Sequence, residues 1–149
     1  MGKYLVIHGP NLNMLGTREP EIYGNMTLDE INKKLLNEAV KNSVEMEIIQ
    51  SNSEGEIIDI LQKNNDITGI IINPAAYTHY SYAICDAIRG IKTPVVEVHI
   101  SNIHAREAYR SNSVTSSACI GLISGFGYLS YLLAFYALLD TISSDKMGE

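Results

Sequence analysis

Short apolar runs alternate with amphipathic segments along the chain. Residues 4–7 form an apolar run that Gly9-Pro10 ends, which is typical of a buried strand followed by a turn. Residues 69–74 are a β-branched run with an equally sharp stop, and such runs suit parallel strands buried on both faces. Similar patterns predict three further strands, at residues 44–50, 95–100 and 119–123.

Helical periodicity separates these strands. Thr27 and Glu30 have the spacing of a capping box, and an apolar stripe at every third or fourth position follows them. Ser53 and Glu56 repeat that spacing before a second amphipathic segment. The predicted helices are residues 27–41, the segment after Ser53, residues 81–89 and residues 128–139. Residues 11–25 lack periodicity and are predicted to be a long loop, a kind of segment that often carries function.

The regular alternation of strands and helices predicts the fold class. It indicates an α/β, flavodoxin-like three-layer fold, with a five-stranded parallel sheet and helices on both faces. We expect one domain over residues 1–140 and a disordered polar tail over residues 141–149. In such sheets a ligand binds at the carboxyl ends of the strands.

Composition narrows the classes of partner and compartment. A net charge of -6 argues against a nucleic-acid partner. The longest apolar stretch, near residues 129–139, is too short to cross a bilayer, so no membrane contact is expected. The two cysteines form no CxxC pair, and the N-terminus has no signal-peptide layout. We therefore expect a cytoplasmic protein.

Polar side chains follow the predicted strands at the edge where a ligand would bind. Neutral hydrogen-bonding groups of this kind suit a polyhydroxylated small molecule. Any one of them could instead cap a turn, but the whole set at one edge favours a site. The set comprises Asn11, Asn13, Ser51, Asn52, Asn73, His99, Ser101 and Asn102.

Two pairs of residues could carry acid–base chemistry. Glu97 and His99 share a face of their strand, and a carboxylate beside an imidazole orients the ring and favours its charged form. The alternative is a surface glutamate and a turn histidine. In the long loop, Arg18 would favour the ionised form of Tyr23, which could then act as a base. The alternative is that Tyr23 packs and Arg18 is solvated.

Other kinds of site are not supported by the sequence. Residues with metal-ligand spacing and a GxSxG elbow are both missing, and Gly125-Phe126-Gly127 lacks the remainder of a dinucleotide fingerprint. The lysines do not clearly lie at the carboxyl end of a predicted strand, so a Schiff base has no obvious nucleophile. We expect acid–base chemistry without a cofactor or metal.

Four blocks of the sequence resemble the type II 3-dehydroquinate dehydratases. They are residues 9–24, 50–56, 72–79 and 94–107, and the similarity extends over about residues 4–139. The first block, from Gly-Pro-Asn-Leu-Asn to Ile-Tyr-Gly, and the fourth, which contains Glu-Val-His-Ile-Ser-Asn, are long and specific. The sequence departs from the family pattern at His8, Ser53 and Ser111.

The resemblance implies a lyase of the shikimate pathway of aromatic amino acid biosynthesis. It would dehydrate 3-dehydroquinate to 3-dehydroshikimate through an enolate. Tyr23 would remove a proton from carbon 2, with Arg18 favouring its ionised form, and Asn11 would lie near the enolate through a water. His99, oriented by Glu97, would protonate the hydroxyl that leaves carbon 1.

The resemblance also implies substrate contacts and an assembly. Ser101 and the backbone of Ile100 would face the substrate carboxylate, and Arg110 would hold a hydroxyl. Asp86 would reach a neighbouring subunit's site, so a trimer would be the smallest complete unit and four trimers would form a dodecamer. The implied substrate-binding residues are Asn73, His79, Asp86, Ile100, Ser101 and Arg110.

Two other classes of function remain open from the residues themselves. A binding module could hold a polyol or a nucleotide without turning it over, because fold alone does not distinguish the two classes. A structural assembly protein would fit the large apolar closing helix. The joint presence of Arg18, Tyr23 and the Glu97/His99 pair favours the enzyme, since a binder has no need of an acid and a base.

Overall fold

A five-stranded, fully parallel sheet forms the centre of the molecule. The computed structural model describes residues 2–17 and 19–147. The strand order is β2-β1-β3-β4-β5, and all four neighbouring pairs are parallel. This is the flavodoxin-like order, so the predicted fold class is confirmed. The strands are β1 (Lys3–His8), β2 (Glu45–Gln50), β3 (Gly69–Asn73), β4 (Val95–His99) and β5 (Gly121–Ser124).

Two helices begin where the capping boxes predict. The Thr27 hydroxyl accepts the N–H of Glu30 at 3.2 Å, and the Ser53 hydroxyl accepts that of Glu56 at 3.2 Å. Each cap satisfies a backbone donor that the first turn of a helix leaves unpaired. The α-helices are α1 (Pro20–Tyr23), α2 (Leu28–Lys41), α3 (Glu54–Lys63), α4 (Tyr82–Arg89) and α5 (Leu129–Met147).

The helices cover both faces of the sheet. Successive strand residues point to opposite faces, so Val6 packs with α2 and α5, whereas Ile7 packs with α3 and α4. Every residue of β3 and β4 is buried, as expected of strands covered on both sides. The three predicted layers are therefore present.

The closing helix is longer than its sequence pattern indicates. We predict its end near residue 139, but α5 continues to Met147. Ile142 lies one turn after Leu138 and packs against the same core, which extends the apolar stripe. The disorder predicted for residues 141–149 stays a prediction, and residues 148 and 149 lie outside the described residues. No helix in the described part of the chain is long and apolar enough to span a bilayer.

The loop after β1 contains two short helical turns that the sequence pattern does not predict, and it is tied to the end of β3. It contains a 3₁₀ turn at Leu12–Met14 and the short helix α1. The Gly9 N–H donates to the Asn73 carbonyl at 2.7 Å. A Cβ at residue 9 would lie 2.7 Å from the Pro74 carbonyl, so only glycine allows this approach. The contact brings the loop to the carboxyl ends of β1 and β3, where the connections diverge and leave a crevice.

A buried histidine ends β1. His8 is fully buried, and its two ring nitrogens contact Tyr131 Oη at 3.0 Å and Asn32 Oδ1 at 2.9 Å. Burial lowers the pKa of His8 to about 4, although the hydrogen bond to Asn32 acts in the opposite direction. The ring is therefore neutral in the folded protein at neutral pH.

This lowered pKa predicts a loss of stability in mild acid. The unfolded chain binds a proton at His8 near pH 6.5, and the folded chain does so only near pH 4. Because the unfolded state holds more protons between these values, the free energy of unfolding should fall by about 3 kcal/mol as the pH drops through this window. Below it, His8 should contribute no further loss.

Urea unfolding between pH 7.5 and about 4 would measure this component. His8→Asn removes the titrating group, so the variant's free energy of unfolding should fall less steeply than that of the wild type. Parallel pH curves for the two proteins would contradict the assignment.

Candidate active site

One cavity lies at the carboxyl ends of β1, β3 and β4, where the sequence predicts a site. Its wall includes side chains from the loop after β1, the end of β3 and the segment after β4. It brings together eight of the predicted site residues: Asn11, Tyr23, Asn73, His79, His99, Ile100, Ser101 and Arg110.

Three other predicted residues lie elsewhere. Glu97 does not line the cavity, because it is fully buried behind His99. Asp86 lies on α4 and lines a separate depression with Ala83 and Gly90. Arg18 lies outside the described residues.

A buried pair on β4 supplies the imidazole of the site. His99 Nε2 lies 2.8 Å from Glu97 Oε2, as their spacing on one strand face predicts. The carboxylate accepts the Nε2–H, which fixes the orientation of the ring. Within the described part of the chain Nδ1 has no hydrogen-bond partner, so this nitrogen is available to a ligand in the cavity.

Three hydroxyl groups complete the surroundings of Glu97. Thr78 and Ser113 donate to Oε2 at 2.8 and 2.9 Å, and Thr115 donates to Oε1. Burial opposes ionisation of Glu97, but the hydrogen bond and charge of His99 and the threonine hydroxyls hold the pKa of Glu97 below its usual range. Glu97 is therefore an anion at neutral pH.

A second, part-buried contact engages the Tyr23 hydroxyl. Arg106 Nη1 donates to Tyr23 Oη at 2.8 Å, and its guanidinium carbon lies 5.2 Å from the Tyr23 ring centroid. The same nitrogen lies 3.4 Å from Ser101 Oγ. The phenol of Tyr23 and the guanidinium of Arg106 thus form one hydrogen-bonded pair at the cavity wall.

Hydrogen bonds hold the polar residues of the wall. Asn11 has a left-handed backbone, φ 68°, and its backbone N–H donates to Asn52 Oδ1 at 3.0 Å. Asn73 Oδ1 accepts the N–H of Ala75 at 3.0 Å. His79 Nδ1 donates to the Asn112 carbonyl at 2.8 Å, which orients the ring.

Arg110 is held less tightly. Its Nε lies 3.0 Å from Glu107 Oε2, within ion-pair distance, but the N–H lacks the alignment of a hydrogen bond. Its guanidinium carbon lies 5.0 Å from the Tyr109 ring centroid. The guanidinium donors therefore remain suited to a ligand hydroxyl or carboxylate.

The cavity wall combines titratable side chains with polar ones. An imidazole beside a buried carboxylate and a phenol beside a guanidinium line the same cavity. Carboxamides, a second guanidinium and several apolar side chains line the remainder. Among residues 2–17 and 19–147, no three His, Cys, Asp or Glu side chains are grouped as a metal ion would require.

Comparison with known proteins identifies the family. Residues 2–139 match the family described as dehydroquinase class II. The chain belongs to the class II dehydroquinase family.

Two proteins named 3-dehydroquinate dehydratase are close relatives. The one from Clostridium botulinum (strain Loch Maree / Type A3) is 52% identical over 147 residues, which are 98% of this chain and 100% of that protein. The one from Clostridium acetobutylicum is 56% identical over 142 residues, 95% of this chain and 99% of that protein.

A solved structure of this dehydroquinase family has the same architecture. The type II dehydroquinase from Butyrivibrio crossotus DSM 2876 superposes with a TM-score of 0.90 at 46% identity. The superposition covers 92% of this chain and 97% of the other. Fold and family therefore agree along nearly the whole chain.

Sequence reasoning missed four residues of this site, which are Thr78, Arg106, Ser113 and Thr115. Arg106 lies in the segment after β4, at the predicted edge, and a cation there was the signal that could have pointed to it. Ser113 and Thr115 had no such signal, because they come from a loop that lies between β4 and β5 and has no periodicity. Their role depends on contacts with Glu97 that the local pattern does not indicate.

The hydroxyls around Glu97 give a stability prediction. Thr115→Val removes the donor to Oε1 while keeping the shape of the side chain, and it leaves a buried carboxylate oxygen short of a partner. The free energy of unfolding should fall by about 1–3 kcal/mol. Thr115→Ser keeps the hydroxyl and is the matched control, because its loss should come only from the missing methyl group. Urea unfolding at pH 7 measures both, and equal losses in the two variants would contradict the account.

Proposed function

We propose that this chain is a lyase that dehydrates 3-dehydroquinate to 3-dehydroshikimate. Its relatives carry the name 3-dehydroquinate dehydratase at full-length coverage. The observation that carries the proposal is that Tyr23, with Arg106 at its hydroxyl, lines the same cavity as His99, with Glu97 at its ring. Elimination of water from a ketone needs a base and an acid, and these pairs supply them.

The first step is removal of a proton from carbon 2 of the substrate. That proton is weakly acidic because it is adjacent to the ketone, and the electrons of the broken C–H bond form an enolate. The Tyr23 phenolate is the base, and the guanidinium of Arg106 favours its ionised form. Arg18 is a second cation that the family resemblance assigns to this task. Asn11 stabilises the enolate oxygen through a water.

The second step is loss of the hydroxyl from carbon 1. The enolate electrons return to form the C1–C2 double bond, and the hydroxyl leaves with a proton from His99. Glu97 is buried and anionic, so it orients the ring and favours the imidazolium that gives up this proton. The product is a conjugated enone.

The rest of the cavity wall binds the substrate's polar groups. Ser101 and the Ile100 backbone contact the carboxylate, and Arg110 holds a hydroxyl. Asn73 and His79 complete the contacts with the ring hydroxyls. All five residues line the cavity, which supports this assignment.

Asp86 points to a role between subunits. It lies on α4, away from the cavity of its own chain. We propose that it completes the site of a neighbouring copy in a trimer, and that four trimers form a dodecamer.

We further propose that the single α/β domain of residues 1–140 acts in the cytoplasm without a cofactor. Its role would be in aromatic amino acid biosynthesis through the shikimate pathway.

A direct assay tests the proposed function. Purified protein mixed with 3-dehydroquinate alone should give a rise in ultraviolet absorbance as the enone forms. Protein treated with borohydride in the presence of 3-dehydroquinate, and then freed of both, should keep its activity, because the mechanism forms no imine. Binding of 3-dehydroquinate with no absorbance change over hours would instead favour a binding module.

Tyr23→Phe tests the base. It removes the phenolic oxygen and keeps the ring, so turnover should fall by at least about 10²–10⁴-fold. Binding of 3-dehydroquinate, measured by calorimetry, should stay within a few-fold of wild type. Full turnover by this variant would reject Tyr23 as the base.

Arg106→Leu tests the cation at the phenol oxygen. The variant loses both the donor and the charge that favour the phenolate, so kcat should fall by roughly 10²-fold. Arg89→Leu is the matched control, because Arg89 is an exposed arginine on α4 whose side chain contacts Ser117 and does not line the cavity. The control should retain wild-type kcat, and an Arg106→Leu enzyme as fast as Arg89→Leu would contradict the role of Arg106.

A further inference from the structure

A line of hydrogen bonds connects helix α2 to Asn73 in the cavity wall. Asn32, on α2, contacts His8 Nε2 at 2.9 Å, and His8 Nδ1 contacts Tyr131 Oη at 3.0 Å. Tyr131 Oη in turn contacts Asn73 Nδ2 at 2.9 Å. His8 and Tyr131 are fully buried, and neither lines the cavity. These two side chains therefore reach the proposed substrate only through Asn73.

A backbone contact determines which atom donates and which accepts in each of these hydrogen bonds. Asn73 Oδ1 accepts the Ala75 N–H, so Nδ2 is the atom that faces Tyr131 and donates to it. Tyr131 Oη thus receives one proton and must pass its own to an acceptor, which is His8 Nδ1. The His8 proton then lies on Nε2 and is donated to Asn32 Oδ1. This arrangement of protons gives every donor and acceptor in the series a partner.

Burial keeps each member in the form that this arrangement needs. It lowers the pKa of His8, so the ring is neutral and Nδ1 can accept. It raises the pKa of Tyr131, so the phenol keeps the proton that it donates. A protonated His8 would carry donors on both nitrogens, and the phenol proton would lose its acceptor.

Asn73 is left with one donor for a ligand. Its Nδ2 carries two protons, and within the described residues Tyr131 Oη is the one partner of that nitrogen. Asn73 also lines the cavity while being only 3% exposed. A carboxamide held at both ends in this way cannot turn without breaking a buried hydrogen bond.

We propose that His8 and Tyr131 are positioning residues that hold the Asn73 carboxamide so that one N–H faces the bound substrate. The inference rests on the proposed function, because it takes 3-dehydroquinate as the ligand of Asn73. It adds two residues that do not touch the substrate and act through one that does.

A double-mutant cycle tests whether Tyr131 acts through Asn73. Tyr131→Phe should lower kcat/KM for 3-dehydroquinate roughly tenfold, the size expected for one hydrogen bond. In an Asn73→Ala background, Tyr131→Phe should lower kcat/KM by less than about twofold, because the carboxamide that Tyr131 positions is absent. Equal losses in both backgrounds would overturn the proposal, because a merely structural effect is additive.

Tyr4→Phe is the control for removing the hydroxyl of another core tyrosine. Tyr4 belongs to the same core cluster as Tyr131 but lies at the amino end of β1, away from the cavity. This control should keep wild-type kcat/KM. An equal loss in Tyr4→Phe would assign the effect of Tyr131→Phe to the core and not to Asn73.

Two variants of His8 separate hydrogen bonding from packing. Asn places its Oδ1 near the position of Nδ1 and can still accept the phenol proton, so His8→Asn should keep kcat/KM within about threefold of wild type. His8→Leu fills the space without an acceptor and should lose roughly tenfold. Should Tyr131→Phe fail to fold, this pair carries the test, and equal activities in the two variants would overturn the proposal.

A spectroscopic measurement separates this inference from the proposed function. The ¹⁵N signals of the His8 ring, assigned by their loss in His8→Asn, should show the Nε2–H form and should shift in Tyr131→Phe. Unchanged ¹⁵N signals in Tyr131→Phe would contradict the assigned hydrogen bonds, whatever the enzymatic activity of the variants. If the wild type makes no product from 3-dehydroquinate, the proposed function fails. The proposed role of His8 and Tyr131 in positioning Asn73 for that substrate then fails as well. The ring signals would still show whether the line itself exists.

Discussion

The structure of the site depends on one buried carboxylate within β4. Glu97 has no access to solvent, so it must find all of its hydrogen-bond donors within the protein. It finds them in one imidazole and three hydroxyls, which come from β4, from the turn after β3 and from the loop before β5. Three separate segments of the chain therefore meet at Glu97, because each supplies a hydrogen-bond donor to its carboxylate. It also fixes the one ring that the proposed reaction needs as an acid.

The sheet topology makes this convergence possible. With the order β2-β1-β3-β4-β5, the carboxyl ends of β1, β3 and β4 are neighbours, although their residues are far apart in sequence. The loop after β1 brings Tyr23 to the same cavity, and Arg106 meets it from the segment after β4. The proposed base and the proposed acid thus come from different segments of the chain, and each contacts an oppositely charged or hydrogen-bonding partner.

Local features of the fold could be predicted from the sequence, and long-range contacts could not. The caps at Thr27 and Ser53 depend on residues three positions apart, so the pattern alone indicates them. The Glu97–His99 pair is likewise local to one strand. The contact between Arg106 and Tyr23 joins residues 83 positions apart. Such a contact follows from how the elements pack, and residue spacing does not encode it.

The most direct test of the account separates the base from the acid by isotope exchange. In deuterated water, the His99→Ala enzyme should exchange the proton at carbon 2 of 3-dehydroquinate while forming little product, because Tyr23 can still make the enolate but no acid helps the hydroxyl to leave. The Tyr23→Phe enzyme should do neither. Exchange at carbon 2 that persists in Tyr23→Phe and is lost in His99→Ala would contradict the assignment of the two roles.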